Sequence, residues 1–178
     1  MRRLLISIGV ASLLVGCGDR KPETDIWTAA ATGDNATIER HLAAGTDIDA
    51  KDPLGGSSAL IVAALYGRTE TARLLVRNGA RLNARNNDEA TALHVAAFFC
   101  HPELVAYLLD RGADRSARNR FGQTPLETVS GEWGRGIEGV YKRVAGLWKL
   151  ELNLERIREG RPRVAALIRR HAGLGNDG

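Results

Sequence analysis

The sequence predicts an all-α solenoid of about four helix-turn-helix units, with short β-hairpin-like fingers between units and a helical C-terminal extension. Three observations predict it. Ser58-Ala-Leu-Ile-Val-Ala-Ala64, Thr91-Ala-Leu-His-Val-Ala-Ala97 and Thr124-Pro-Leu-Glu-Thr-Val-Ser130 carry one pattern whose starts lie 33 residues apart. A period in that range marks units that cannot bury their apolar faces alone and therefore stack. A second helical stretch ending in glycine follows the first two of these segments, and similar polar stretches, 45–52, 79–86 and 112–119, lead onward to the next Ser or Thr.

Taken from the N-terminus, Met1-Arg2-Arg3 is a short positive start and Leu4 to Val15 an apolar run too short to span a bilayer as a mature helix. Leu14-Val15-Gly16-Cys17 ends it. These residues resemble the bacterial lipobox, which implies a signal peptide over 1–16, cleavage before Cys17, and lipid attachment on its sulfur. Residues 17–24, polar and Pro-containing, then read as a tether. Several acyl chains on one residue exceed what stable anchoring requires. The resemblance implies a lipid-anchored, periplasm-facing protein of the cell envelope. Asp19 stands one place after the position where such lipoproteins carry an inner-membrane retention signal, which leaves inner and outer membrane open.

The repeats are expected over 25–130, in units near 25–55, 56–88 and 89–121, with a fourth starting at 122. In each unit the Ser or Thr can cap a helix, and Leu60, Ala63 and Ala64, like Leu93, Ala96 and Ala97, share one helical face. The second helices are expected over 70–78 and 103–111, with Gly79 and Gly112 as left-handed C-caps. The first unit has Trp27 where Leu60 and Leu93 stand and lacks a preceding finger, as an N-terminal cap would.

The fourth unit departs from the pattern. Its second helix, Pro162 to His171, arrives about 26 residues late, and 131–161 is an insertion within the 131–178 segment. The insertion holds Trp133 and Trp148, with Tyr141, Val144 and Leu147 at amphipathic helical spacing, then a short helix from Asn153 to Glu159 stopped by Gly160 and Pro162. Two readings stand open: a cap over the end of the stack, or an appendage whose basic residues meet an acidic partner.

The repeated residues resemble the ankyrin repeat, whose pattern is T-P-L-H-x-A-A, a second helix ending L-L-x-x-G-A, and a finger of the form D-V-N-A-x-D. The resemblance implies a protein-binding or scaffolding module, not an enzyme, with an unidentified protein partner on the concave or finger face. Its variable positions fall here on Leu54, Leu65, Tyr66, Phe98, Phe99, Arg120 and Phe121, joined by Pro53, Asn87 and Asp88. Aromatic residues and Arg are frequent interface anchors. The alternative for Phe98 and Phe99 is packing beneath the insertion, and for Tyr66 the shielding of a turn. Lys51, Arg85 and Arg118 occupy one finger position in successive units and form a second, basic row. His94 takes the family's His place, which implies a bracing role between turns.

Chemistry finds little support. Adjacent Cys100 and His101 lack an orienting third group, so no catalytic residue is assigned. Cys100 stands where a turn Gly is usual, which makes a partly exposed, oxidisable thiol plausible, and with Cys17 lipidated no internal disulfide can form. No metal cluster, phosphate loop or cofactor motif is present, and a net charge falling from +4 to about +2 once Arg2 and Arg3 leave is no argument for nucleic acid. The basic excess lies late: residues 17–130 hold 13 basic and 15 acidic groups, 131–178 hold 10 and 6. The rival functions are an inhibitor or immunity factor for a periplasmic toxin or enzyme, and a redox-linked accessory acting through Cys100.

Overall fold

Side-chain caps start every inner helix of the computed structural model, which describes residues 22–148, 150–171 and 173. Asp25, Ser58, Thr91 and Thr124 each accept a hydrogen bond from the backbone N–H three residues on, opening α1 (Ile26–Thr32), α3 (Ala59–Leu65), α5 (Ala92–Phe98) and α7 (Pro125–Ser130). The N-cap oxygen satisfies a donor that no intrahelical partner can reach. The outer helices are α2 (Asn35–Ala43), α4 (Thr69–Arg77) and α6 (Pro102–Asp110). Gly79 and Gly112 follow the latter two in the left-handed conformation, at φ 92° and 84°. α8 (Arg135–Trp148) and α9 (Leu154–His171) complete the chain.

The inner helices stack α1 on α3, α3 on α5 and α5 on α7, while α6 packs on α4 and α9. Ala29 and Ala30, Ala63 and Ala64, and Ala96 and Ala97 are fully buried, so that adjacent inner helices approach with no side chain beyond a methyl between them at these points. Leu60, Leu75, Leu93, Leu104 and Leu108 fill the space between the rows. Each such burial is worth roughly 1.5–3 kcal/mol.

The fingers close without forming a strand among the described residues. Asp52, Asn86 and Asn119 each accept bonds from backbone N–H groups two to five residues on, and their own N–H groups meet the carbonyls of Ser57, Ala90 and Gln123. Neighbouring fingers are joined through Asn87 N to Gly55 O and Arg120 N to Asp88 O, both 2.9 Å. At the tight position occupied by Gly56 and Gly122 the middle finger carries Glu89, at φ 55°.

The insertion differs from its expected form in one respect. In place of a short helix ending at Gly160 and a separate one from Pro162, α9 runs unbroken from Leu154 to His171. Gly160 is needed for close approach, since a Cβ there would lie 3.0 Å from the Cys100 Cβ. Pro162 deprives the Arg158 carbonyl of its helical donor, but both residues are exposed, where solvent can serve the freed group. On α8, Tyr141 is fully buried and Val144 half-buried, whereas Leu147, expected on the same face, is 75% exposed.

Candidate interaction surface

Each turn between inner and outer helix is covered by the unit that follows. The Arg68 stem lies over Gly33 and its Nε donates to Ala31 O at 2.8 Å; the His101 ring lies over Gly67 and its Nε2 donates to Leu65 O at 3.3 Å. At the third turn the covering residue comes from α8: the Tyr141 hydroxyl donates to Phe98 O at 2.6 Å. Arg156 adds bonds to the carbonyls of Phe99 and Cys100. The glycine has changed sides, from the turn, now Cys100 at φ 55°, to the covering helix at Gly160.

This arrangement fixes the fate of two expected surface residues. Phe99 is 4% exposed, and Phe98 is half-buried with its ring stacked on Tyr141 at a centroid distance of 4.3 Å. The insertion therefore covers the pair, and Phe99 is no free contact residue. Cys100 is likewise buried, against the expectation of a partly exposed thiol. Its Sγ donates to Ile157 O at 3.4 Å, and burial pushes the thiol up to about 11. A thiol so seldom ionised is a poor nucleophile, which removes the basis for a redox accessory. Burial holds His101 down at about 4, with Arg156 acting in the same sense.

His94 performs a bracing role. Its Nδ1 accepts from Thr91 N at 3.2 Å, and its Nε2 donates to Gln123 O at 3.0 Å in the next finger. Burial lowers its pKa. No motif pointed to His41, which is buried and reaches back through Nε2 to Thr24 O at 2.7 Å, tying the last tether residue to α2.

What stays accessible lies mainly on the fingers. Leu54 is 83% exposed and Phe121 72%, Tyr66 lies at the margin of exposure, and Leu65 is half-buried. Arg120 pairs with Asp88 at 2.9 Å and lies 5.8 Å above the Phe121 ring, which positions that ring beside a charge pair. The basic row is aligned, but its arginines are engaged: Arg85 donates to Arg118 O at 2.7 Å and faces Glu89, while Arg118 donates to Gly122 O and Glu127. They staple fingers together. Lys51 is exposed. Cys17 and the signal peptide lie outside the described residues. Among the described residues no group of three or more His, Cys, Asp or Glu could hold a metal ion, and no helix is long and apolar enough to cross a membrane.

Stacked helical hairpins with linked, partly apolar fingers define a repeat module for protein–protein interaction. The family model for ankyrin repeats, in three copies, matches residues 26–119, and the chain belongs to the ankyrin repeat family. Among solved structures it is similar to the ankyrin repeat domain of Bcl-3, described as a unique member of the IkappaB protein family, at 32% identity and a TM-score of 0.56. The match covers 66% of this chain and 50% of that one, so the chain spans about half the length of its structural relative. No curated protein matches the sequence significantly.

Proposed function

We propose that this chain is a binding or scaffolding module held by lipid on Cys17 at a bacterial cell envelope, facing the periplasm. It would grip a protein partner with its finger tips and the adjoining helix ends. The observation that carries the binding surface is the exposure of Leu54 and Phe121 on fingers locked together by backbone hydrogen bonds. Apolar side chains held this far into solvent offer desolvation energy to a partner, and a prebonded frame loses little entropy on association. Tyr66, Leu65 and the Arg120–Asp88 pair complete the surface, while Phe98 and Phe99 pack beneath the insertion and lie outside it. The anchoring rests on the basic start, the apolar run and the Cys after small residues.

The test is crosslinking capture from intact envelopes with wild type beside a Leu54→Ala, Phe121→Ala double variant. Both positions are exposed, so the variant keeps its fold, and anchor truncations of this type weaken binding by about 1–2 kcal/mol each. Unchanged captured partners would show that the surface is misplaced. Lipid attachment is tested separately, by metabolic labelling with an alkyne fatty acid: label should enter wild type and be lost in Cys17→Ala.

A further inference from the structure

We infer that the cleft between the end of α7 and the middle of α9 is a binding site for a small oxyanion, a carboxylate or a phosphate. It is separate from the finger surface and does not depend on it. The cleft has a volume of about 310 Å³ and is lined by Arg158, Arg161 and Arg169 from one helix, with Trp133 and Pro162 as apolar walls and Glu132 as its carboxylate. A volume of that size suits a small ligand.

Arg161 carries the case. It is 3% exposed, and its guanidinium meets only neutral acceptors: Thr128 O at 3.4 Å, the Tyr141 hydroxyl at 3.0 Å and Gly131 O at 3.0 Å. No carboxylate among the described residues lies within ion-pair distance of Arg161 or Arg169, and Arg158 meets Glu155 only at 3.6 Å. A buried charge satisfied by neutral dipoles alone is costly. Bracing the end of α7 would need Arg161 only. Arg158 and Arg169 add two further positive charges to the lining of the same cleft, which an anion held there would offset. Planar guanidinium donors match carboxylate and phosphate oxygens in pairs.

The experiment is calorimetric titration of the full-length chain at low ionic strength, in separate arms with inorganic phosphate and with succinate. Saturable 1:1 binding in at least one arm is expected, and the stronger arm identifies the oxyanion. An Arg158→Ala, Arg169→Ala variant, altered only at exposed positions, should keep its melting temperature and bind at least about tenfold more weakly, as loss of charge-assisted hydrogen bonds requires. Glu132→Gln should tighten binding severalfold. The inference fails if neither anion binds saturably or if the double variant stays within about twofold of wild type. It also fails if Arg40→Ala, on α2 at the far end of the stack, weakens binding as much.

Discussion

Replacing Tyr141 by Phe removes a single oxygen, yet that oxygen joins three parts of the molecule. It donates to Phe98 O at 2.6 Å and accepts from Arg161 Nη1 at 3.0 Å, in surroundings that push the phenol up to about 12 by burial. The Phe ring keeps its place against Phe98 and Trp133, so the loss isolates the hydrogen bonds. An orphaned buried carbonyl costs about 1–3 kcal/mol, and a guanidinium deprived of one acceptor adds to it, for a total of about 2–4 kcal/mol. For a chain of this size that corresponds to a fall in melting temperature of roughly 5–15 °C. Urea unfolding followed in parallel by far-UV circular dichroism and tryptophan fluorescence is the assay. Trp133 stacks on Tyr141 at 5.7 Å, so its emission should change before the bulk of the helix signal. Solenoid stability is a sum of neighbour terms, and a weakened end can melt ahead of the rest. Val140→Ala, exposed on the same helix, should stay within about 0.5 kcal/mol of wild type. A Tyr141→Phe loss below about 0.5 kcal/mol would refute the view that α8 closes the third turn through this hydroxyl.

Acid should destabilise the protein through its histidines. His101, at about 4 when folded against an ordinary 6.5, takes up its proton more readily unfolded, so stability present above pH 6.5 is lost as pH falls toward 4. The loss is about 2 kcal/mol at pH 5; urea midpoints at pH 7.5 and 5 should differ less in His101→Gln than in wild type. Gly160→Ala, ordinarily a gain of about 0.5–1 kcal/mol within a helix, should be neutral or harmful here because the Cys100 Cβ is 3.0 Å away. In a Cys100→Gly background it should become favourable, and additive double-mutant energies would contradict the contact. Glu89→Gly should stabilise by about 0.5–1 kcal/mol, since φ 55° suits glycine and the lost Arg85 pair is exposed; an unchanged urea midpoint would count against that strain.

The repeated hairpins were legible because their causes are local. Ser58, Thr91 and Thr124 cap the next turn of their own helix, and Gly79 and Gly112 meet a backbone requirement within one unit. Even His94, whose partner Gln123 is 29 residues away, could be read, because the family resemblance carries that bond. The insertion could not be read in the same way. Gly160 in a sequence means either a stop or a close approach, and the choice depends on Cys100, some 60 residues distant. Spacing put Tyr141 on an apolar face, but not against the carbonyl of Phe98. The same ignorance left Phe98 and Phe99 undecided, since whether a ring binds a partner or supports a cap is settled by what folds over it. Arg161 gave no signal, because a buried arginine reads as one more basic residue in a basic tail.

The exchange of glycine between turn and cover bears on how this array can grow. At the first two turns, any unit beginning with a suitable side chain can seat itself over glycine. The third turn is instead covered by helices that bring their own gap at Gly160 and a hydroxyl from Tyr141. A duplicated unit placed after the third with a histidine at the covering position would press on the Cys100 side chain, because the His101 ring lies 2.5 Å from where a Cβ on Gly67 would stand. One cysteine and one glycine thus narrow what can follow the third unit, and the array is freer to lengthen ahead of that point than beyond it.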